Sequence, residues 1–165
     1  MAVLTISWRT AVAVSLMAQP LHFAWGRGDA GWDLTPVGAS QSATSLVSEV
    51  GRIIPSIIGY CVPVGSGDPL PDDIIVPTGR YRASESPTNL LHVRCDFDYG
   101  DAVTESIREA GLFMGTVVAD GVAPGQRYFE PGEITEQGML LAIERFPRII
   151  RSSQVREIFE YVLEL

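Results

Sequence analysis

The chain has 165 residues and a mass of 17.9 kDa, a size at which folding buries roughly 70% of the unfolded chain's surface, enough for one domain over residues 1–165 without staples. An apolar fraction of 46% against a charged fraction of 19% excludes the disordered class. The net charge is −8 and all twelve basic residues are arginine, mostly scattered singly, which excludes the clustered cationic surface that nucleic acid requires.

Sixteen glycines and eleven prolines spread along the chain break up long helices and favour short strands joined by turns, so the expected class is mainly β, a β-sandwich-like antiparallel domain. Residues 3–6 and 11–17 are apolar and rich in β-branched side chains and read as strands, as does 21–25 after Pro20. Arg9 followed by an apolar run resembles a leader, but it offers one charge and a bulky Leu16 before the candidate cut at Ala18, so a soluble, unprocessed chain without membrane insertion is expected. Residues 26–42 form a long Gly/Asp/Pro/Ser loop whose length implies that it packs against something.

From 45 to 54, Leu46, Val47, Val50, Ile53 and Ile54 fall on one helical face and Pro55 follows, so the spacing predicts one short helix. Residues 57–64 read as a strand, 65–73 as a loop, and 74–81 as a strand that Pro77 confines to an edge. The clearest period of two runs from 92 to 99. Val93, Cys95, Phe97 and Tyr99 point one way, and His92, Arg94, Asp96 and Asp98 point the other towards water. Residues 107–118 form the next strand, with Gly111 marking a bulge or a close backbone approach, followed by a loop over 119–138 and a strand over 139–146. The last segment, 155–165, carries both a helical face and an alternating one. Its density of aromatic and β-branched residues favours a strand.

Chemical motifs are sparse. Gly26, Gly28 and Gly31 spell G-x-G-x-x-G, but Trp32 to Pro36 follow where a dinucleotide site needs a helix, so the segment reads as a turn-rich loop. Arg27, Gly28 and Asp29 spell an adhesin tripeptide that chance readily supplies. Asp96, Asp98, Asp101 and Glu105 suggest a calcium turn, yet Asp101 stands where the required glycine belongs, and solvent-facing acids are the plainer reading. His22 and His92 have no ligand partners at metal spacing and read as surface or interface residues. No nucleophile motif is present, and scattered acids alone do not make a glycosidase. Cys61 and Cys95 read as small buried hydrophobes, with a disulfide between them left open. No catalytic residue, metal ligand or cofactor is assigned. The crowded Arg145, Arg148, Arg151 and Arg156, interleaved with Glu144 and Glu157, suggest a salt-bridged surface or an interface.

Three stretches carry a resemblance. Leu46, Val47, Glu49, Val50, Gly51 and Arg52 match L-V-x-E-V-G-R. Glu109, Gly111, Leu112 and Phe113 match E-x-G-L-F after the acidic turn 96–101. Arg151 to Glu160 has the form R-S-x-x-V-R-x-x-F-E. Together they resemble phage tail-collar or tail-fibre proteins. The resemblance implies a non-catalytic virion component of a tail tip or baseplate, made in the bacterial host cytoplasm and partnered by other tail proteins and by copies of itself. It also implies a closing C-terminal strand. Since the chain stops at Leu165 without a fibre shaft, a compact adaptor or collar role is expected. Candidate interface residues are Trp25, Trp32, Arg94, Arg148, Arg151, Tyr128 and Phe129. The alternatives are a small-ligand β-barrel and a carbohydrate-active protein using paired acids.

Overall fold

A computed structural model describes residues 2–165 except 66 and 68, so Ser66 and Asp68 of the expected 65–73 loop lie outside the described residues. Among the described residues one α-helix, α1 (Ile6–Met17), precedes twelve strands: β1 (Leu21–Gly26), β2 (Glu49–Ile53), β3 (Ile57–Pro63), β4 (Ile74–Val76), β5 (Gly79–Ser84), β6 (Leu90–Phe97), β7 (Ser106–Met114), β8 (Val117–Val118), β9 (Tyr128–Phe129), β10 (Ile134–Glu136), β11 (Met139–Ile150) and β12 (Glu157–Glu164). The class is mainly β with antiparallel pairing, as expected. The chain divides into two compact units, one of residues 1–19, 55–95 and 158–165, the other of residues 20–54 and 96–157.

The second unit holds the sheet β11-β7-β1-β2-β9 and the ribbon β10-β8. Its β1 is central in the sheet and all six of its residues are buried, so the strand shows no alternation. The helix expected over 45–54 is instead β2. Ser48 adopts a left-handed φ of 54°, which ends any helix there, and Gly51, Arg52 and Ile53 pair with Trp25, Ala24 and Phe23. Five apolar residues at helical spacing fit a strand equally well once a partner edge exists, and Leu46 packs separately against Ala24 and Phe113. Gly111 sits opposite Ala24 and Ile143, and a Cβ on it would lie 2.7 Å from Leu140 Cδ1 and 3.0 Å from Ala142 O, the expected close approach. The strand expected over 107–118 divides into β7 and β8, and the loop expected over 119–138 contains β9, β10 and a 3-10 turn (Pro131–Glu133). The strand expected over 139–146 continues to Ile150. Pro147, which has no N–H for a ladder, falls within the register slip between Arg145 and Ile149.

His22 of β1 is buried against Phe129 rather than at the surface, with Nδ1 unpartnered. Burial, reinforced by the charge of Arg52, pushes it down from 6.5 to about 4. The folded chain therefore resists a proton that the unfolded chain accepts. Stability is full above about pH 6.5 and falls as pH drops towards 4, by about 3 kcal/mol at the lower end. Urea unfolding of His22→Phe and the parent from pH 7 to 4 should show the parent losing that much more, whereas parallel curves would refute the assignment.

The first unit holds the sheet β12-β6-β3-β5-β4 and α1. The strands expected over 3–6 and 11–17 are replaced by α1. Thr5 caps it, with its hydroxyl accepting from Trp8 N at 3.3 Å, and Ala13 and Leu16 supply the buried face. A short apolar run does not distinguish helix from strand, and here the cap and Ala11 and Ala13 carry it to helix. Pro77 separates β4 from β5 and leaves β4 at the sheet edge, as expected. In β6, Val93, Cys95 and Phe97 are fully buried and Arg94 and Asp96 half-buried. His92 departs from its expected watery face. It is buried, with Nε2 2.8 Å from Glu160 Oε1. Tyr99 lies beyond the strand in the exposed turn. Cys61 and Cys95 are both buried and free, and burial pushes the Cys61 thiol up to about 11. Cys61, Ile74 and Val76 form a small core with Tyr81, Leu90 and Val162. The last segment is a strand, β12, as the resemblance implied.

Candidate functional site

Arginine does most of the positioning in the second unit. Arg52 is buried in β2, forks onto Glu49 at 2.6 and 3.0 Å, donates to Thr116 Oγ1 at 2.7 Å and Gln137 O at 2.5 Å, and lies 3.9 Å over the Phe113 ring. The expected packing of the 26–42 loop is explained by Asp33, which receives Arg108 at 2.5 Å and Arg148 at 3.1 Å, and by Trp32, over which Arg145 lies at 4.1 Å. Arg145 also reaches buried Glu109, which accepts from Val47 N. The crowded arginines of 145–156 are thus largely engaged within the unit.

Arg151 closes the acidic turn. Its buried guanidinium donates to the carbonyls of Asp98 at 2.7 Å and Val155 at 2.9 Å, while Arg156 pairs with Asp98 at 3.0 Å. Asp101 accepts from Asp98 N, and burial pushes its carboxyl up. The Tyr99 amide and Arg156 hold Asp98 down. Of the carboxylates considered for calcium, Asp98, Asp101 and Glu105 therefore accept from protein donors, and no group of three metal-ligating side chains gathers among the described residues.

Beside this turn opens a cleft of about 440 Å³, lined among others by Arg27, Glu49, Ala102, Glu105, Tyr128 and Glu130. Arg27 forks onto Glu105 at 2.7 and 2.6 Å and donates to Ser48 Oγ at 3.1 Å. Tyr128 is fixed by Trp25 Nε1, which donates to its hydroxyl at 3.3 Å, and by its own 3.4 Å bond to Val50 O. Trp25 in turn stacks on Phe97 with centroids 3.5 Å apart. Gly51 is required beneath this ring, since a Cβ there would run into the Tyr128 hydroxyl. Burial, with Asp101, Glu130 and Glu105 nearby, pushes Tyr128 up to about 12, so the phenol stays protonated. The cleft thus offers hydrogen bonds and acidic charge, in contrast to the apolar lining a small-ligand barrel would need. Asp29 of the adhesin-like tripeptide caps a 3-10 turn (Ala30–Trp32), and Arg27 is held by Glu105.

The first unit presents a different surface. Residues 2–19 carry one charge, Arg9, whose Nη1 donates to Leu165 O at 2.6 Å. Around it Val3 (83% exposed), Leu4, Ile6 (71%), Trp8 and Val14 face solvent. A groove of about 520 Å³ runs beside them, lined by Ile6, Arg9, Pro63, Tyr81, Leu90 and Glu164. Among the described residues no helix is long and apolar enough to cross a membrane. Exposed apolar patches are a common feature of contact surfaces. None of these side chains was among the residues expected from sequence, although the single charge in eighteen residues was a visible signal.

Of the expected interface residues, Trp25, Phe129 and Arg151 are buried and serve internal packing, so their side chains are not at the surface. Trp32 and Tyr128 are half-buried, and the side chains of Arg94 and Arg148 are 33% and 41% exposed.

Antiparallel β structure, arginine-tethered loops and an exposed apolar segment fit a structural protein. The chain belongs to the family described as "Baseplate wedge 3 tail fiber network component", whose profile matches residues 1–165. No curated protein matches the sequence. Membership bears out the resemblance to baseplate and tail-fibre proteins and places the chain in the virion tail among other tail proteins.

Proposed function

We propose that the chain is a non-enzymatic connector in the baseplate, made in the host cytoplasm and joined to neighbouring tail proteins and to copies of itself through protein interfaces. The observation that carries this reading is the exposed, almost uncharged apolar surface of Val3, Leu4, Ile6, Trp8 and Val14. An isolated monomer would hold it in water, and an assembly would cover it. Arg94, Arg148, Trp32 and Tyr128 supply candidate polar and aromatic contacts elsewhere on the surface.

The test is assembly. The double substitution Ile6→Glu and Trp8→Glu alters exposed side chains, so the isolated chain should keep its unfolding free energy within about 0.5 kcal/mol per site. Particles built with the variant, analysed by mass spectrometry and electron microscopy, should lack the chain. Normal incorporation would remove this surface from the interface, and absence of the parent chain from native particles would sink the whole reading.

A further inference from the structure

We propose that the free edge of β12 is a homotypic docking strand, along which two copies pair antiparallel with Tyr161 opposite Tyr161 at the two-fold. This rests on the reading of the chain as an assembly component, and it names one surface and one partner.

A long, regular, open edge invites pairing with another chain, and proteins that must stay single blunt such edges. In the sheet of the second unit, β9 has two residues. Its other edge, β11, is interrupted by two register slips and Pro147, and the 26–42 loop lies along it: Arg148 N donates to Asp33 O at 3.3 Å, and Arg145 reaches the carbonyls of Val37 and Gly38. In the sheet of the first unit, β4 has three residues and ends at Pro77. The ribbon strands β8 and β10 have two and three residues. Among the described strands β12 differs: it runs eight residues without proline or glycine and is flanked by β6 on one side.

The direction of its backbone follows from one bond. Leu165 N donates to Asn89 O at 3.0 Å, so odd-numbered residues of β12 turn their N–H and C=O towards β6. Even-numbered residues, Ile158, Glu160, Val162 and Glu164, therefore turn theirs outward.

The side chains select the partner and the register. A two-fold at Glu160 would set that carboxylate against its own copy, and one at Val162 would set Glu160 against Glu164, both of which destabilise. A two-fold at Tyr161 avoids every such pair. Glu160 then faces Val162, Glu164 faces Ile158, Glu157 faces Leu165, and Phe159 faces Leu163 on either side of the central tyrosines. Glu160 already bonds His92 at 2.8 Å. A two-fold at Phe159 also avoids like charges but overlaps only residues 157–161 of β12, whereas the Tyr161 register pairs 158–164, and this self-complementarity favours a second copy over an unrelated strand.

Sedimentation equilibrium of the full chain should show a monomer–dimer system. Ile158→Lys puts a lysine opposite Glu164 of the other copy at two symmetric places, and should tighten the dimer roughly three- to thirtyfold. Ile158→Glu at the same half-exposed position should weaken it by a similar factor. Val162→Pro removes an outward N–H and leaves the bonds to β6 in place, so it should abolish the dimer, with thermal unfolding checking that the fold survives. A parent chain that stays monomeric up to about 1 mM overturns the proposal, as does an equal response to lysine and glutamate at position 158. A monomeric chain that still enters particles sinks the strand pairing and leaves the connector role standing. A dimer absent from particles does the reverse.

Discussion

Replacing Arg52 with methionine is expected to lower the unfolding free energy by about 3–5 kcal/mol, because it removes one partner of a buried charge network while the others stay in place. Arg52 is fully buried, and its departure strands Glu49, Thr116 Oγ1 and the carbonyl of Gln137, each now bonded at 2.5 to 3.0 Å. The Phe113 ring loses the cation above it as well. Lysine at this position keeps the charge but not the planar fork, so Arg52→Lys should fall between parent and methionine. A second readout separates charge from packing. Arg52 is the electrostatic contributor to the low value of His22, so the His22 ring followed by NMR should titrate higher in the methionine variant and stay near about 4 in the lysine variant. A methionine variant as stable as the parent would show that the network contributes specificity rather than stability.

Trp25→Ala should cost a similar amount, about 3–5 kcal/mol, by opening a cavity that its surroundings do not fill. Trp25 is fully buried, stacked on Phe97, edge-on to Tyr128 and 5.2 Å beneath the Arg151 guanidinium, so one truncation exposes three neighbours. Tyr128→Phe removes only the 3.3 Å bond from Trp25 and the weaker one to Val50, and should cost about 1 kcal/mol. Guanidinium unfolding of both variants checks the ranking. Equal losses would mean that the hydroxyl, rather than the ring stack, holds the cleft wall. The same cluster fixes Tyr128 over Gly51, so the indole at position 25 acts on the shape of a surface cleft it does not itself reach.

The mainly β class, the 26–42 loop, most of the strand expected over 92–99, the buried cysteines, the edge position of β4 and the C-terminal strand were all legible from composition, alternation and proline placement. These features depend on local chemistry: a period of two, a missing N–H, a ring or a branched Cβ. The two helix and strand reversals had no such local arbiter. Residues 6–17 and 46–54 both carry apolar side chains in a short run whose spacing either element can use. The first became helix because Thr5 caps it, and the second became strand because β1 offered a free edge. The twelve arginines could be counted, but their partners lie up to 156 residues away, as for Arg9 and Leu165. A side chain that reaches across that separation meets its carboxylate, carbonyl or ring only after the sheets have formed. For that reason Arg151 and Trp25, expected by type to be contact residues, are interior ones, while the apolar surface of α1 faces out.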